Sequence, residues 1–125
     1  MLYEVSVSRA FTASHSVVLP DGSLEPMHEH LWHVTATFRA ARLGEPTGFV
    51  VDFTRVEQTL GTIARELEGA VLNSLEAFSD DRCSAERVAE FLCRRLTDRL
   101  DGLTPYRVSV TEAPGCSAAF YPNGA

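Results

Sequence analysis

The sequence predicts an α+β fold in which an antiparallel four-stranded sheet carries two helices on one of its faces. Two observations indicate this class. Apolar and polar residues alternate near both ends of the chain, which is typical of half-buried strands, whereas apolar residues in the middle recur at helical spacing. Strands and helices grouped along a chain in this way are typical of α+β folds. At 125 residues, we expect a single domain spanning residues 1–125.

The strands are predicted in two pairs, one before the helices and one after them. The segment from Leu19 to Met27 is predicted to be an irregular loop, because it contains two prolines and a glycine. Pro114 and Gly115 form the turn between the last two strands. The four predicted strands are Leu2–Phe11, His28–Ala40, Tyr106–Val110 and Ala118–Tyr121. A sheet of this kind has two open edges, so we expect a homo-oligomer that covers them.

The two helices follow the second strand. Apolar residues recur at helical spacing from Val56 to Val71, so the first helix should end near Asn73. Either Asp52 or Thr54 is available as its N-cap. Ser84 can cap the second helix, whose apolar stripe continues as far as Leu100.

Composition excludes several classes of function. The formal net charge is −6, and all eleven basic residues are arginine, so the chain lacks the basic stripe that a nucleic-acid partner requires. Without lysine, carbonyl chemistry would have to use a metal, carboxylate, histidine or cysteine. We find no apolar run of membrane-spanning length and no signal peptide, and we therefore expect no membrane partner and a cytoplasmic location. The three cysteines are too widely spaced for a disulfide framework.

All four histidines lie in the segment Phe11–His33. His28 and His30 are two residues apart, so on a strand both side chains leave the same face, and His15 could supply a third nitrogen from a neighbouring strand. Three imidazoles that leave one coordination position free are typical of catalytic zinc. An H-x-H pair also arises by chance, so spacing alone leaves both interpretations open. His33 should point away from the metal face, since it is three residues from His30.

Several short motifs occur in a characteristic order. They are Phe11–His15 (F-x-A-x-H), His28–Trp32 (H-x-H before an aromatic residue), Gly48–Phe53 (G-x-x-x-D-F), Ser84–Glu86 (a helix start) and Val110–Glu112 (a strand-end glutamate). In order and spacing, they resemble those of the 6-pyruvoyl-tetrahydropterin synthase family, which includes the 6-carboxytetrahydropterin synthases.

This resemblance implies zinc bound by His15, His28 and His30. It also implies a tunnelling fold (T-fold), in which trimers close a barrel and pair as hexamers with active sites at subunit interfaces. Glu112 would accept hydrogen bonds from the edge of a pterin, the alternative being a solvated carboxylate at a strand end.

The start of the second helix is a further candidate for substrate binding. The family's corresponding region helps to bind the pterin, which makes Ser84 and Cys83 candidate substrate-binding residues. The helix dipole could lower the pKa of the Cys83 thiol, but we favour a buried, inert thiol.

The sequence departs from the family at both catalytic elements. Leu24 stands where the queuosine branch has its catalytic cysteine, and Glu68 and Gly69 replace an aspartate–histidine pair. Glu25, three residues before His28, resembles a branch in which glutamate replaces the cysteine and the enzyme cleaves a dihydroneopterin side chain. Glu25 and Glu68 are therefore the candidate catalytic acid–base residues, although a loop acid beside a proline can also be merely solvated.

Three functions agree with these observations, all with a small-molecule partner. The first is a zinc-dependent lyase or cyclase that cleaves or rearranges the side chain of a pterin-type substrate. The second is a natural-product biosynthesis enzyme that condenses an amine or aromatic substrate with an aldehyde, as in Pictet–Spengler cyclisation. The third is a non-catalytic paralogue that binds a ligand without turnover.

Overall fold

Two helices cover one face of a mixed β-sheet. The computed structural model describes residues 1–124, and Ala125, the last residue of the predicted domain, lies outside the described residues. In chain order the elements are β1 (Tyr3–His15), β2 (His28–Ala40), α1 (Phe53–Leu67), β3 (Ala70–Val71), α2 (Ala85–Arg99), β4 (Arg107–Ala113) and β5 (Cys116–Phe120). The strand order is β3–β1–β2–β4–β5, with β3 parallel to β1 and the other neighbours antiparallel. The predicted α+β class is confirmed.

The predicted strand count was too low, because β3 was assigned to the first helix. That helix ends at Leu67, and Gly69 follows with a φ of 76°, a left-handed conformation that glycine adopts readily. The Gly69 N–H donates to the Thr12 carbonyl over 2.7 Å, which brings Ala70 and Val71 alongside β1. A strand of two residues is too short to show alternation, so periodicity could not reveal it.

The core lies between the two helices and the face of the sheet that they cover. The register places Phe11 beside Trp32 and Val34 beside Val110, so the apolar side chains of β1, β2 and β4 share this face. The opposite face is polar, and hydroxyl groups pair across the strands there, as in the 3.0 Å hydrogen bond between Ser6 and Thr37. The alternation in the sequence therefore reflects a sheet with one buried face.

Side-chain caps define where both helices begin. The Asp52 carboxylate accepts a hydrogen bond from the Thr54 N–H and caps α1, while the Ser84 hydroxyl accepts from the Arg87 N–H and caps α2. Asp52, rather than Thr54, is thus the N-cap. No helix within residues 1–124 combines the length and the apolar character that crossing a membrane demands.

The segment after β3 fixes the chain where it leaves β1. Two short 3₁₀ turns, Leu72–Ser74 and Glu76–Phe78, lead towards α2. In the first, the Asn73 amide accepts from the Ser16 N–H over 2.9 Å and donates to the Ser16 carbonyl over 3.0 Å. This pair of hydrogen bonds holds the backbone immediately after His15.

We expect Leu92→Ala to lower the free energy of unfolding by about 2–5 kcal/mol, because Leu92 is fully buried in α2 and its truncation leaves a cavity. Leu2→Ala is the matched control, since Leu2 is 61% exposed and should change stability by less than about 0.5 kcal/mol. Urea unfolding measures both values. An equal decrease in the free energy of unfolding in the two variants would contradict the assignment of Leu92 to the core.

Candidate metal centre

Three histidine side chains converge at one end of the β1–β2 pair. The antiparallel register places His15 opposite His28, and His30 opposite Ala13, so all three imidazoles leave the same face of the sheet. Their ring centroids are separated by 4.6 Å for His15 and His28, 4.7 Å for His28 and His30, and 5.2 Å for His15 and His30. The structure thus brings together the three histidines that the sequence proposes as metal ligands.

Backbone carbonyl groups determine which nitrogen of two imidazoles carries the hydrogen. His15 Nδ1 lies 2.7 Å from the Cys83 carbonyl oxygen, and His28 Nδ1 lies 2.9 Å from the Pro26 carbonyl oxygen. Because a carbonyl oxygen can only accept, Nδ1 is the donor in both bonds. In the neutral ring Nε2 then carries the lone pair, and this is the arrangement in which histidine binds a metal.

Two of the imidazole nitrogens are buried without a hydrogen-bond partner. Within residues 1–124, His15 Nε2 and His30 Nε2 are the only buried side-chain nitrogen or oxygen atoms in this condition. Each such atom costs about 1–3 kcal/mol, and native structures contain few of them. Burial is the main cause that lowers the pKa of His15, which favours the neutral ring. A bound cation would satisfy both nitrogens, so these residues fit a metal.

A carboxylate from β4 completes the cluster. Glu112 Oε1 lies 3.1 Å from His30 Nε2 and 3.6 Å from His15 Nε2. One donor atom from each of His15, His28, His30 and Glu112 lies within 4.8 Å of the others. Three imidazoles and a carboxylate form a donor set that suits zinc. The sequence suggested Glu112 for substrate binding, and spacing along the chain could not show that it reaches the histidines.

Trp32 packs beneath the histidines. It is fully buried, and its Nε1–H donates to the Ala13 carbonyl over 3.2 Å. The His15 and His30 rings contact it edge-on, with centroids 4.8 Å and 5.7 Å away. Trp32 therefore restricts the orientation of two candidate ligands, although its sequence position alone indicates only a core or interface residue.

Glu25, one of the two candidate catalytic residues, lies beside the cluster. Its Oε1 accepts a hydrogen bond from the Val17 N–H over 3.1 Å, and its own N–H donates to the Val17 carbonyl over 3.1 Å. These bonds fold the loop between β1 and β2 back on itself. They place Glu25 Oε1 3.8 Å from His28 Nε2.

Glu68, the other candidate, makes different contacts. It follows α1 and is exposed, and its two carboxylate oxygens lie 3.2 Å and 3.3 Å from the Thr12 nitrogen, whose N–H donates to them. The Glu68 carboxylate thus accepts the hydrogen bond that a carbonyl group of a neighbouring strand would otherwise accept from Thr12, at the edge of β1 next to β3. The donor atoms grouped around the histidines include Glu112 and do not include Glu68.

The start of α2 supports the cluster through its backbone. The Ser84 hydroxyl is engaged as the N-cap of the helix. Burial raises the pKa of the Cys83 thiol to about 12, which agrees with the buried, inert thiol and not with a thiol activated at the helix start. Cys83 contributes its carbonyl group, which accepts from His15, and no signal in the sequence indicates this contact.

Two surface cavities border Glu112. One, of about 490 Å³, is also lined by His30, His33 and Thr111, and the other, of about 380 Å³, is also lined by Glu86. Both volumes fall in the range typical of sites for small molecules. His33 is exposed, and its place in the β2 alternation puts it on the opposite face from His30.

Comparison with known proteins shows where this fold occurs. The family model described as 6-pyruvoyl tetrahydropterin synthase matches residues 4–123. The structure of Caenorhabditis elegans 6-pyruvoyl tetrahydropterin synthase is similar, with 16% identity, 100% of this chain and 97% of that chain covered, and a TM-score of 0.83. The enzyme from Plasmodium vivax gives 18% identity, 99% coverage of both chains and a TM-score of 0.76. These likenesses confirm the predicted T-fold.

Two further Plasmodium vivax structures carry alanine or cysteine in place of a glutamate described as a catalytic residue. Both are 16% identical to this chain, with 99% of each chain covered and a TM-score of 0.75. None of the curated proteins is similar enough in sequence to match.

We expect the purified protein to contain about one zinc ion per chain, because three imidazoles can hold zinc with one coordination position left. The double substitution His28→Ala/His30→Ala should abolish zinc binding, since it removes two of the clustered nitrogens. His33→Ala, a histidine of the same strand on the other face, is the matched control and should retain zinc. Elemental analysis measures all three proteins, and a double variant that keeps its metal would contradict the site.

Proposed function

The chain belongs to the 6-pyruvoyl tetrahydropterin synthase family, and from this membership we propose that it is a zinc-dependent lyase or cyclase that cleaves or rearranges the side chain of a pterin-type substrate. The observation that carries the proposal is the position of Glu25. Its carboxylate is the acidic group that the loop before β2 holds beside the three histidines, 3.8 Å from His28 Nε2. A carboxylate in this position can act as a general acid or base towards a substrate beside the histidines.

In this proposal, His15, His28 and His30 hold the zinc. When bound, zinc polarises a substrate oxygen and stabilises the negative charge that develops on it. The chain prepares the nitrogens to bind the ion, because the carbonyl groups of Cys83 and Pro26 keep the hydrogens of two imidazoles on Nδ1.

Glu25 is assigned the proton transfer. The bond from the Val17 N–H fixes the orientation of the carboxylate, so that it faces the position where a side chain of the substrate would meet the histidines. There it takes a proton from the substrate side chain and returns it after the bond is cleaved or rearranged. The Plasmodium vivax relative, in which a glutamate is described as a catalytic residue, supports assigning this role to a glutamate.

The other residues predicted from the sequence are assigned to substrate binding or to supporting the site. We assign Glu112 to substrate binding, where its carboxylate would accept hydrogen bonds from the N–H groups of the pterin edge. It borders two cavities, and a carboxylate can accept two such hydrogen bonds at once. Cys83 acts through its carbonyl group, which accepts from His15, and Ser84 acts through the hydroxyl that caps α2. The contacts of Glu68 favour a structural role at the edge of β1 over the catalytic role that its alignment suggested.

An oligomer belongs to the same proposal. β3 pairs only with Ala13 and Ser14 of β1, so most of the outer edge of β1 faces no other strand within the described chain. β5 forms the other edge of the sheet. Further copies of the chain that pair with these edges, as trimers or paired trimers, would satisfy the exposed backbone groups.

The substrate class is tested by incubating the zinc-loaded protein with dihydroneopterin triphosphate and with dihydroneopterin, and by following both with mass spectrometry. We expect loss or rearrangement of the side chain of at least one substrate, because the site combines an acid–base group with a metal position. Unchanged substrates in a protein that holds its zinc would contradict the proposal. A product from an amine and an aldehyde would then favour the condensing enzyme, and the absence of turnover would favour a binding protein.

The role of Glu25 is tested by comparing two substitutions of equal size. Glu25→Gln should lower kcat by about 10²- to 10⁴-fold, because an amide cannot exchange the proton. Glu68→Gln should leave kcat nearly unchanged, since its amide oxygen can still accept from the Thr12 N–H. Steady-state kinetics on the substrate found by mass spectrometry measure both. Full activity in Glu25→Gln would show that another group transfers the proton.

A further inference from the structure

We propose that the Glu112 carboxylate is a fourth ligand of the metal and leaves it when substrate binds. Glu112 Oε1 lies 3.1 Å from His30 Nε2 and 3.6 Å from His15 Nε2, yet neither nitrogen has a hydrogen-bond partner. The hydrogen of His15 is on Nδ1, so its Nε2 lone pair faces a carboxylate oxygen. Two electron-rich atoms at this distance repel one another unless a cation lies between them.

The two separations between Glu112 and the histidine nitrogens are close to those between ligands of one ion. Zinc binds imidazole nitrogen and carboxylate oxygen at 2.0–2.2 Å, and in tetrahedral geometry two such ligands are then about 3.3–3.5 Å apart. The two separations from Glu112 Oε1, 3.1 Å and 3.6 Å, lie on either side of this range. His30 Nε2 and Glu112 Oε1 are close but do not form a hydrogen bond. This agrees with two ligands of one ion, because such ligands point at the ion and not at each other.

Glu112 follows Val108 and Val110 in the alternation of β4, which places it on the face of the sheet that carries the histidines, beside a β-bulge. In the pairing with β5, Thr111 is opposite Ser117 and Ala113 is opposite Cys116, so Glu112 is the extra residue of a β-bulge. A bulge bends the strand and redirects one side chain, and bulges are frequent next to active sites. On the other side of β4, Thr111 pairs with His33, which keeps Glu112 level with the end of β2 that carries His30.

The consequence is a metal site that is closed in the absence of substrate. Three imidazoles and one carboxylate would fill the four positions of a tetrahedral zinc, and the departure of Glu112 would open one of them to a substrate oxygen. The released carboxylate is then free to accept the N–H groups of the pterin edge. This inference rests on the proposed metal centre, and it does not depend on which substrate is turned over.

Cobalt(II) replaces zinc as a spectroscopic probe in the test. Metal-free parent protein, Glu112→Gln and Glu86→Gln are each loaded with Co²⁺, and azide is added while the visible absorption is recorded. Glu86→Gln is the matched control. It also removes one negative charge from the cavity that Glu86 and Glu112 line, but Glu86 does not belong to the histidine cluster.

We expect azide to change the spectrum of Glu112→Gln at concentrations that leave the parent and Glu86→Gln unchanged, because only the first has an exchangeable fourth position. The affinity for Co²⁺ should fall at least about tenfold in Glu112→Gln alone. Equal azide binding by the parent and Glu112→Gln would overturn the inference. Glu112→Asp is a second variant, which keeps the charge but shortens the side chain, and it should bind azide more readily than the parent.

The same experiment separates failure of the metal centre from failure of the fourth ligand. If the parent protein binds no Co²⁺, the proposed metal centre itself fails. If it binds Co²⁺ through the histidines but Glu112→Gln behaves like the parent, only the role of Glu112 as a ligand fails.

Discussion

The antiparallel register of β1 and β2 is the constraint on which the site depends. Because side chains alternate between faces, a slip of one residue in this pairing would move His15 away from the face that carries His28 and His30. The register is specified further along the same strands, where Phe11 pairs with Trp32 in the core. The apolar packing that stabilises the fold therefore also positions the candidate ligands, and no separate device is needed to bring them together.

Around this register, four further segments each contribute one group. The loop before β2 brings Glu25, the start of α2 offers the Cys83 carbonyl, β4 brings Glu112, and the 3₁₀ turn after β3 holds the backbone of Ser16. The unpartnered nitrogens of His15 and His30 are costly in a fold whose other buried polar side chains, within the described residues, are satisfied. Buried polar atoms of this kind are few in native structures, and a bound ligand or ion is one way of satisfying them.

Much of this arrangement could be predicted from the sequence, since it depends on local pattern. Alternation indicated the long strands, helical spacing indicated both helices, and the H-x-H pair with His15 indicated the metal cluster. The rest depends on contacts between distant residues. The two-residue β3 has no periodicity, the Cys83 carbonyl meets His15 from a distant part of the chain, and Glu112 meets the histidines from another strand. Such features arise from tertiary packing, which a single sequence does not display.

The structure shows what the residues that depart from the family pattern contact. Leu24, which stands where the queuosine branch has a cysteine, is 53% exposed, while the adjacent Glu25 is held beside His28. The pair Glu68–Gly69 has become a structural device, in which one residue caps the edge of β1 and the other starts the turn into β3. The proposed function therefore assigns the acid–base role to the loop and not to the helix end. In that proposal, the site keeps the metal and the binding carboxylate, and proton transfer passes through the single side chain of Glu25.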